Sequence, residues 1–483
     1  MSTDFPHVLQ VASGRLEYND EAFRFMKQSK SFSKVPLINI LWVELNDEDQ
    51  VVVTTLAPTS GKLALHPVVA ELRKSKAKTQ KEKDKEAEEI RQEAQRWADK
   101  LLDAAYKGLK RNRKLRAFLN PIGGKGKGAH IYQHEVEPIF AAARCKVEFT
   151  STAYQGHMVE LAQKVDLDVD AIVVLSGDGG IHEVVNGLAK HEQAARALRI
   201  PVAQISTGSA NAVCVNILGP KDAFDIGKCC LNAIKGRPMK LPIYSIKQGD
   251  KKYFSFLTQA GGLMADLDLG TEHLRWMGDT RFVLGYLRGV VSKKICPVEI
   301  EYRLVQSDKV QMAASAKTSV HETHFHEDED MHDENHKLPW HADDDEPEGT
   351  DGWTKFEKPV MYYYAGGLPY VSRDLMQFPV ANPSDGCIDL VIQSRAPRAI
   401  MLKATVGAEK GEAYWIDSQH YFKVSGYRVK PTGKGNFTVD GEGYPFEPFE
   451  LRVHAGQLRV LSLDGRLDIS SFTPDDAILD ATK

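Results

Sequence analysis

One aspartate stands among small residues in Ser176-Gly177-Asp178-Gly179-Gly180, between an apolar run and a helix-like segment that starts near Ile181. The small neighbours leave room for a ligand, and a carboxylate so placed can take the proton of an attacking hydroxyl. The same residue also suits a turn that caps the following helix, and alone it does not choose between the two. A second loop, Asn120-Pro121-Ile122-Gly123-Gly124-Lys125-Gly126-Lys127-Gly128, lies between a strand-like and a helix-like segment. Its glycines let backbone N–H groups approach an anion at a helix N-terminus, and its lysines add positive charge. It is not a P-loop, because Gly rather than Ser or Thr follows Lys127, and it lacks G-x-G-x-x-G. The third loop is Thr207-Gly208-Ser209-Ala210-Asn211. Further on, Glu272 and Arg275 share a helical face at i, i+3, with Arg281 beyond them and Asp266 and Asp268 before them among apolar residues. This reads either as a polar anchor at the edge of an apolar pocket or as a surface helix with an ion pair. An oriented hydroxyl, a carboxylate for its proton and cations for phosphate charge are the parts that phosphoryl transfer requires.

Those residues need elements to hold them. From 114 to 237 short apolar strands (LRAFLN, KVEFTST, DAIVVLS, PVAQIS) alternate with helical segments, the pattern of a parallel sheet covered on both faces. All three loops fall at the carboxyl ends of strands, where open α/β sheets bind ligands. The second strand ends in Thr150-Ser151-Thr152 rather than in a ribose-gripping acid, which speaks against a dinucleotide fold. After Leu241 the chain reads as β again, a mostly antiparallel domain at about 241–475. Residues 1–70 alternate in the strand manner as a small β-module, and 71–110 form a charged linker and helix. There Ile90, Ala94, Trp97, Leu101 and Ala105 make one apolar stripe with Gly108 as a stop. The lysine-rich stretch 73–85 is a solvated linker or a basic arm for anionic lipid.

At 483 residues two or three domains are expected, and 42% hydrophobic with 27% charged residues suits a globular protein. No apolar run is long enough to cross a bilayer, and no secretory signal stands at the start, so membrane contact is expected to be peripheral. Six scattered cysteines without metal-finger spacing fit a reducing cytosolic setting. Between 321 and 351 thirteen acids meet one lysine, a local charge of −12 within a total of −4, so the remainder carries about +8. That mild basicity suits phosphate ligands or an anionic membrane, and no nucleic-acid motif appears. The acidic block, an insertion at about 314–352, holds six histidines that could bind a divalent metal; its composition also fits a solvated, disordered segment.

The stretches NPIGGKGKG, SGDGGIHEVVNG, TGSANAV, ADLDLGTEHLRWMGDTRF and VDGE together resemble the diacylglycerol kinase-like lipid kinase superfamily. Over about 114–463 the chain looks most similar to the sphingoid long-chain-base (sphingosine) kinases. The resemblance implies an NAD-kinase-like doubly wound α/β domain (111–240) followed by an antiparallel β-sandwich for lipid. It implies ATP and Mg²⁺ as cofactors, a sphingoid-base substrate phosphorylated on its primary hydroxyl, and work at intracellular membranes. By position it makes Asp178 the general base. Asn120, Pro121, Ile122, Thr152, Glu183, Gly208, Ser209, Arg275, Arg281, Asp440, Gly441 and Glu442 match nucleotide-contacting positions. Ser176, Gly177 and Gly179 border the reacting hydroxyl, and Asp268 matches the acid that pairs with the sphingoid amine. No metal ligand is assigned. Ala210 departs from the family's usual glycine, setting a Cβ on the nucleotide loop. Ceramide or diacylglycerol as substrate, or a lipid-binding relative without catalysis, are the alternatives.

Overall fold

The structure is a computed structural model; it describes residues 5–27, 30–31, 34–124, 126–270, 286, 295–319, 322–325 and 352–472. The expected roles of Glu272, Arg275 and Arg281, and of 320–321 and 326–351 in the acidic block, lie outside the described residues. The chain divides into two compact units, one comprising residues 1–115, 131–147 and 225–235, the other comprising the rest.

In the first unit β1 (His7–Val11), β2 (Gly14–Tyr18), β3 (Ala22–Lys27) and β4 (Lys30–Ser31) form an antiparallel sheet in that order, with β5 (Val35–Pro36) on β3. A second sheet holds β6 (Ile40–Leu45), β7 (Gln50–Thr59) and β8 (Lys62–Glu71). A bridge between Val11 and Leu72 joins the end of β1 to the residue after β8. Helix α1 (Gln80–Tyr106) buries the expected stripe of Ile90, Ala94, Trp97, Leu101 and Ala105 against the residues of both sheets. It starts inside the lysine-rich stretch because Thr79 accepts from the Glu82 N–H while Glu82 reaches back, a capping box that fixes the first turn. Lys107 in the left-handed conformation ends the helix one residue before Gly108.

The second unit carries most of β9 (Lys114–Leu119) and β10 (Lys146–Ser151), and all of β11 (Ala171–Ser176) and β12 (Val202–Ser206). The expected helix between β9 and β10 is broken by a π turn into α2 (Gly128–Ile131) and α3 (Glu137–Ala142), the latter belonging to the first unit. Then come α4 (His157–Gln163), α5 (Asp178–Leu188), α6 (Ala194–Ala197), α7 (Ala212–Leu218) and α8 (Ile226–Lys235), the last belonging to the first unit. Beyond them lie β13 (Arg237–Gln248), β14 (Lys251–Ser255), β15 (Thr258–Gly262), α9 (Leu263–Gly270), β16 (Val298–Gln306), α10 (Lys309–Ser319), β17 (Thr354–Lys355) and β18 (Val360–Gly366). The chain closes with β19 (Tyr370–Ser372), β20 (Leu375–Met376), β21 (Ile388–Ser394), β22 (Gln419–Pro431), β23 (Phe437–Val439), β24 (Glu442–Tyr444) and β25 (Phe449–Ser462). The first residues of the expected acidic insertion are thus helical in α10.

Parallel and antiparallel strands share one mixed sheet, ordered β10-β9-β11-β12-β25-β22-β21-β18-β15-β23-β24. β11 pairs with β12 in parallel, and β12 meets β25 in parallel at Val202 and Val460. The 14-residue β25 makes this possible, because it pairs antiparallel with β13 from Glu450 to Ser462 and presents its other edge to β12 and β22.

Candidate active site

β11 is buried along all six residues, so Ser176 leaves the core just where the glycines begin. Asp178 is the first residue of α5 and does not cap it; Gly177 is the cap, without a side-chain bond. The carboxylate reaches across to another helix. Its Oδ2 accepts from the Ala212 N–H at the start of α7 (3.0 Å), and its Oδ1 from the Gln204 amide on β12 (3.3 Å). The capping reading therefore fails for α5, while the positive end of α7 holds the charge. Burial is the main influence and lifts this carboxyl above its ordinary pKa; the Ala212 and Gln204 bonds pull it down, and Asp440 adds to the rise. A raised carboxyl pKa suits a group that must take up a proton.

The three loops meet. A Cβ at Gly208 would overlap the Gly177 backbone, and one at Gly124, where φ is +58°, would overlap the Thr207 carbonyl. Only glycine permits such approach. Asn211 clamps the third loop from within, accepting from the Gly208 N–H (3.1 Å) and donating to the Gly208 carbonyl (2.8 Å). Ser209 and Ala210 remain half-buried at its tip. In the first loop the Asn120 N–H donates to Leu175 of β11 (3.1 Å), and its side chain accepts from the Ile122 N–H (3.2 Å). Pro121 is half-buried, whereas the apolar Ile122 is 83% exposed. Thr152 lies beside this loop, its N–H (2.8 Å) and hydroxyl (3.1 Å) both on the Leu119 carbonyl. Glu183 accepts from the N–H groups of Gly156 and Met158, each at 3.1 Å, and so ties the start of α4 to α5.

Near the C-terminus the VDGE turn closes on this cluster. Asp440 is 3% exposed and has a left-handed backbone, φ +51°. Its carboxylate accepts from the Ser255 hydroxyl (2.6 Å), the N–H groups of Phe256, Leu257 and Thr258 (3.2, 3.0 and 2.9 Å) and His182 Nδ1 (2.7 Å). Five donors make it the peg of the turn, which presents Gly441 and Glu442. Glu442 Oε1 comes within 2.5 Å of where a Gly179 Cβ would stand, directly over the loop of Asp178. Asp268, on α9, accepts from the Thr438 hydroxyl at 3.0 Å.

His182, Tyr444, Gln204 and Ser255 belong to the site and were not singled out from sequence. His182 lies one helical turn after Asp178; its Nδ1 donates to Asp440, and its Nε2 accepts from the Tyr444 hydroxyl (2.8 Å), roles set by the partners. The i, i+4 spacing from Asp178 could have flagged it; nothing local flags the others. Among the described residues no helix is long and apolar enough to cross a membrane.

Residues 114–246 match the model of the diacylglycerol kinase catalytic domain, and residues 9–107 match a domain of unknown function. A crystal structure from Bacillus anthracis str. Sterne, assigned to the diacylglycerol kinases, shares the fold at a TM-score of 0.51 and 18% identity, covering 72% of this chain and 97% of that one. Fold, loops and family model together define a lipid kinase, an enzyme whose class uses ATP as phosphoryl donor. The chain is 33% identical to sphingoid long chain base kinase 4 of Schizosaccharomyces pombe over 431 residues, 87% of this chain and 86% of that protein. It is 30% identical to sphingosine kinase 1 of Arabidopsis thaliana, covering 69% and 67% of the two chains. Against sphingoid long chain base kinase 5 of Saccharomyces cerevisiae it is 29% identical, covering 77% of this chain and 63% of that protein. The chain belongs to the sphingoid long chain base kinase family, transferases of sphingolipid metabolism.

Proposed function

We propose that this enzyme transfers the γ-phosphate of ATP to the primary hydroxyl of sphingoid long-chain bases: sphingosine, dihydrosphingosine and phytosphingosine. The observation that carries the reading is the pair of carboxylates Asp178 and Asp268 in the second unit: Asp178 heads α5, whose His182 bonds Asp440 of the VDGE turn, and Asp268 accepts from Thr438 just before that turn. Asp178 takes the proton of the lipid hydroxyl as it attacks, helped by its raised pKa. Asp268 meets the ammonium that sphingoid bases carry at neutral pH and that ceramide and diacylglycerol lack. A carboxylate beside an apolar pocket costs desolvation unless a cation meets it.

The loops 120–128 and 207–211 border the nucleotide phosphates, with Thr152 and Glu183 behind them, Ser176, Gly177 and Gly179 beside the reacting hydroxyl, and Arg275 and Arg281 supplying charge. In this reading the parallel strands with their helices form an NAD-kinase-like nucleotide domain, and the antiparallel strands a lipid-binding sandwich. Glu442 is the acid that fits an Mg²⁺ carried by the nucleotide, since such ions take one or two carboxylates beside phosphate oxygens. Asp440 does not fit, its oxygens being committed to five donors. The ion would neutralise phosphate charge. An amphiphilic substrate implies peripheral work at an anionic intracellular membrane from the cytoplasmic side.

The test is a labelled-ATP assay with purified protein, offering the three sphingoid bases, ceramide and diacylglycerol side by side. Asp268→Asn should cut kcat/KM for the amine-bearing lipids by roughly tenfold or more, the scale of a hydrogen-bonded charge. Unchanged sphingosine turnover in that variant would sink the amine pairing, and turnover of diacylglycerol alone would replace the substrate.

A further inference from the structure

The VDGE turn belongs to a small hairpin at the end of the mixed sheet. β23 and β24 pair through Phe437–Tyr444, Thr438–Gly443 and Val439–Glu442, which leaves a loop of two residues, Asp440 and Gly441. Both have positive φ, +51° and +83°, the type I′ geometry that Asp-Gly favours. β23 also pairs with β15, whereas β24, which carries Glu442, has β23 as its one strand partner among the described residues. A two-stranded pairing this short is marginal by itself, so the placement of β24 depends on side chains that tie it down.

Those ties run to α5. Asp178, His182 and Asn186 recur every fourth residue and so form one stripe along that helix. At its far end Asn186 clamps α5 to β14, donating to the Phe254 carbonyl (2.9 Å) and accepting from the Phe254 N–H (3.0 Å). In the middle the buried His182 imidazole grips the hairpin at two points. Its Nδ1 donates to Asp440 in the turn (2.7 Å), and its Nε2 accepts from the Tyr444 hydroxyl at the end of β24 (2.8 Å). The Tyr444 ring is in turn stacked on Tyr253 of β14, with centroids 4.3 Å apart. Glu442 lies between the two gripped residues, and its Oε1 reaches the space over Gly179, the neighbour of Asp178. One helix therefore carries the base and, one turn later, the ring that sets where the hairpin's acid stands.

We propose that His182 is a positioning residue: through Asp440 and Tyr444 it holds the β23–β24 hairpin in register with α5, so that Glu442 faces the nucleotide phosphates beside Asp178. The assignment rests on the reading of Glu442 as a nucleotide-facing acid given above. Both ring nitrogens of His182 are committed to the hairpin, so it acts through Glu442 rather than in the proton transfer. An imidazole suits this place because its two nitrogens diverge in one rigid plane and meet two partners at once. Alanine meets neither, and asparagine, whose amide nitrogen stands near the place of Nδ1, meets Asp440 alone.

The test is a double-mutant cycle between His182→Ala and Glu442→Gln in the full chain. It is read as the dissociation constant of a non-hydrolysable ATP analogue with Mg²⁺, and as KM for ATP and for dihydrosphingosine, with melting temperatures alongside. His182→Ala should weaken nucleotide binding about tenfold, as for one or two hydrogen bonds, while KM for the lipid stays within about twofold. His182→Asn should recover part of that loss. In the Glu442→Gln background the histidine change should cost less than about twofold, because residues that act through one another are not additive. Should His182→Ala fail to fold, Tyr444→Phe, which keeps the ring on Tyr253, takes its place in the cycle with a loss of about fivefold. Losses that multiply in the double variant would make His182 a purely structural residue and overturn the assignment. Unchanged nucleotide binding in either single variant, or a loss confined to KM for the lipid, would overturn it too. A wild type that phosphorylates no lipid would overturn the sphingoid-base reading, while the cycle on nucleotide binding still decides the role of His182.

Discussion

Each compact unit buries charged side chains, and Lys235 in the first and Asp178 in the second do so with opposite signs. In the first, Lys235 at the end of α8 is 1% exposed; its ammonium donates to the carbonyls of Ile40 (2.6 Å) and Ala105 (2.9 Å) and lies over the Tyr106 ring. Ala105 belongs to the last turn of α1, the negative end of a long helix. In the second unit Asp178 meets the first N–H of α7, and Asp440 meets three successive N–H groups. Backbone ends of matching sign thus receive both kinds of charge, and in Lys235 and Asp178 desolvation still outweighs them. Burial draws the lysine down to about 7 and lifts the Asp178 carboxyl above its ordinary value. The difference lies in the surroundings: the cation is held by two backbone carbonyls and the Tyr106 ring, whereas Asp178 is flanked in its loop by Gly177 and Gly179.

The comparison breaks most visibly at Asp178. Asp178→Asn should cost about 10²–10⁴ in kcat, the usual worth of a general base, with little change in melting temperature. The acid limb of the wild-type kcat profile should sit above the ordinary carboxylate range, because the base form is lost as pH falls through the raised pKa. Its effect on stability has the matching sign. The folded state holds this proton more tightly than the unfolded chain does. The group's stabilising contribution therefore falls as pH rises from the ordinary carboxylate pKa through the folded one. Full turnover by Asp178→Asn would remove the base from the mechanism.

Asp440 sharpens the contrast by being buried and committed to the turn it pegs. Asp440→Ala orphans the Ser255, Phe256, Leu257, Thr258 and His182 donors together. The expected loss is about 3–5 kcal/mol, on the scale of breaking a buried charged contact, read as a lowered denaturation midpoint. Asp440→Asn keeps an acceptor and should lose less. Equal stability of the alanine variant and the wild type would mean that the turn is held by other contacts.

What was legible in advance follows the same division between local and distant. The α1 stripe and strands β9 to β12 were readable because 3.6-residue and strand periodicities are properties of neighbours in sequence. Asp178 stood out because glycines flank it. Its partners did not, since Gln204 and Ala212 lie 26 and 34 residues away. Asp440 sits 258 residues from His182, and the polar letters VDGE carry no sign that the aspartate faces inward. Likewise the parallel strand β12 finds its neighbour in β25, far along the chain, so a boundary drawn near residue 240 cannot separate the two kinds of strand into different sheets. Lys235 reads as an ordinary basic residue at a helix end, and only the fold closes Ile40, Ala105 and Tyr106 around it.

Lys235 supplies the smallest and most specific prediction. The unfolded chain holds its proton up to about pH 10.5 and the folded chain only to about 7. Between those values the unfolded state binds more protons, so this group makes stability rise with pH. Lys235→Met fills similar volume and leaves the Ile40 and Ala105 carbonyls without the ammonium, while removing the cost of burying a charge. These effects oppose each other, and a net loss of about 1–2 kcal/mol is expected above the folded pKa, where the wild-type amine is neutral and still donates. Below it the loss should shrink, because the wild type then carries the desolvated charge. Denaturant midpoints of wild type and variant, taken at intervals from pH 6 to 10, should therefore diverge as pH rises. Parallel curves would mean that Lys235 keeps its proton in the folded state and that the carbonyls stabilise it as fully as water does.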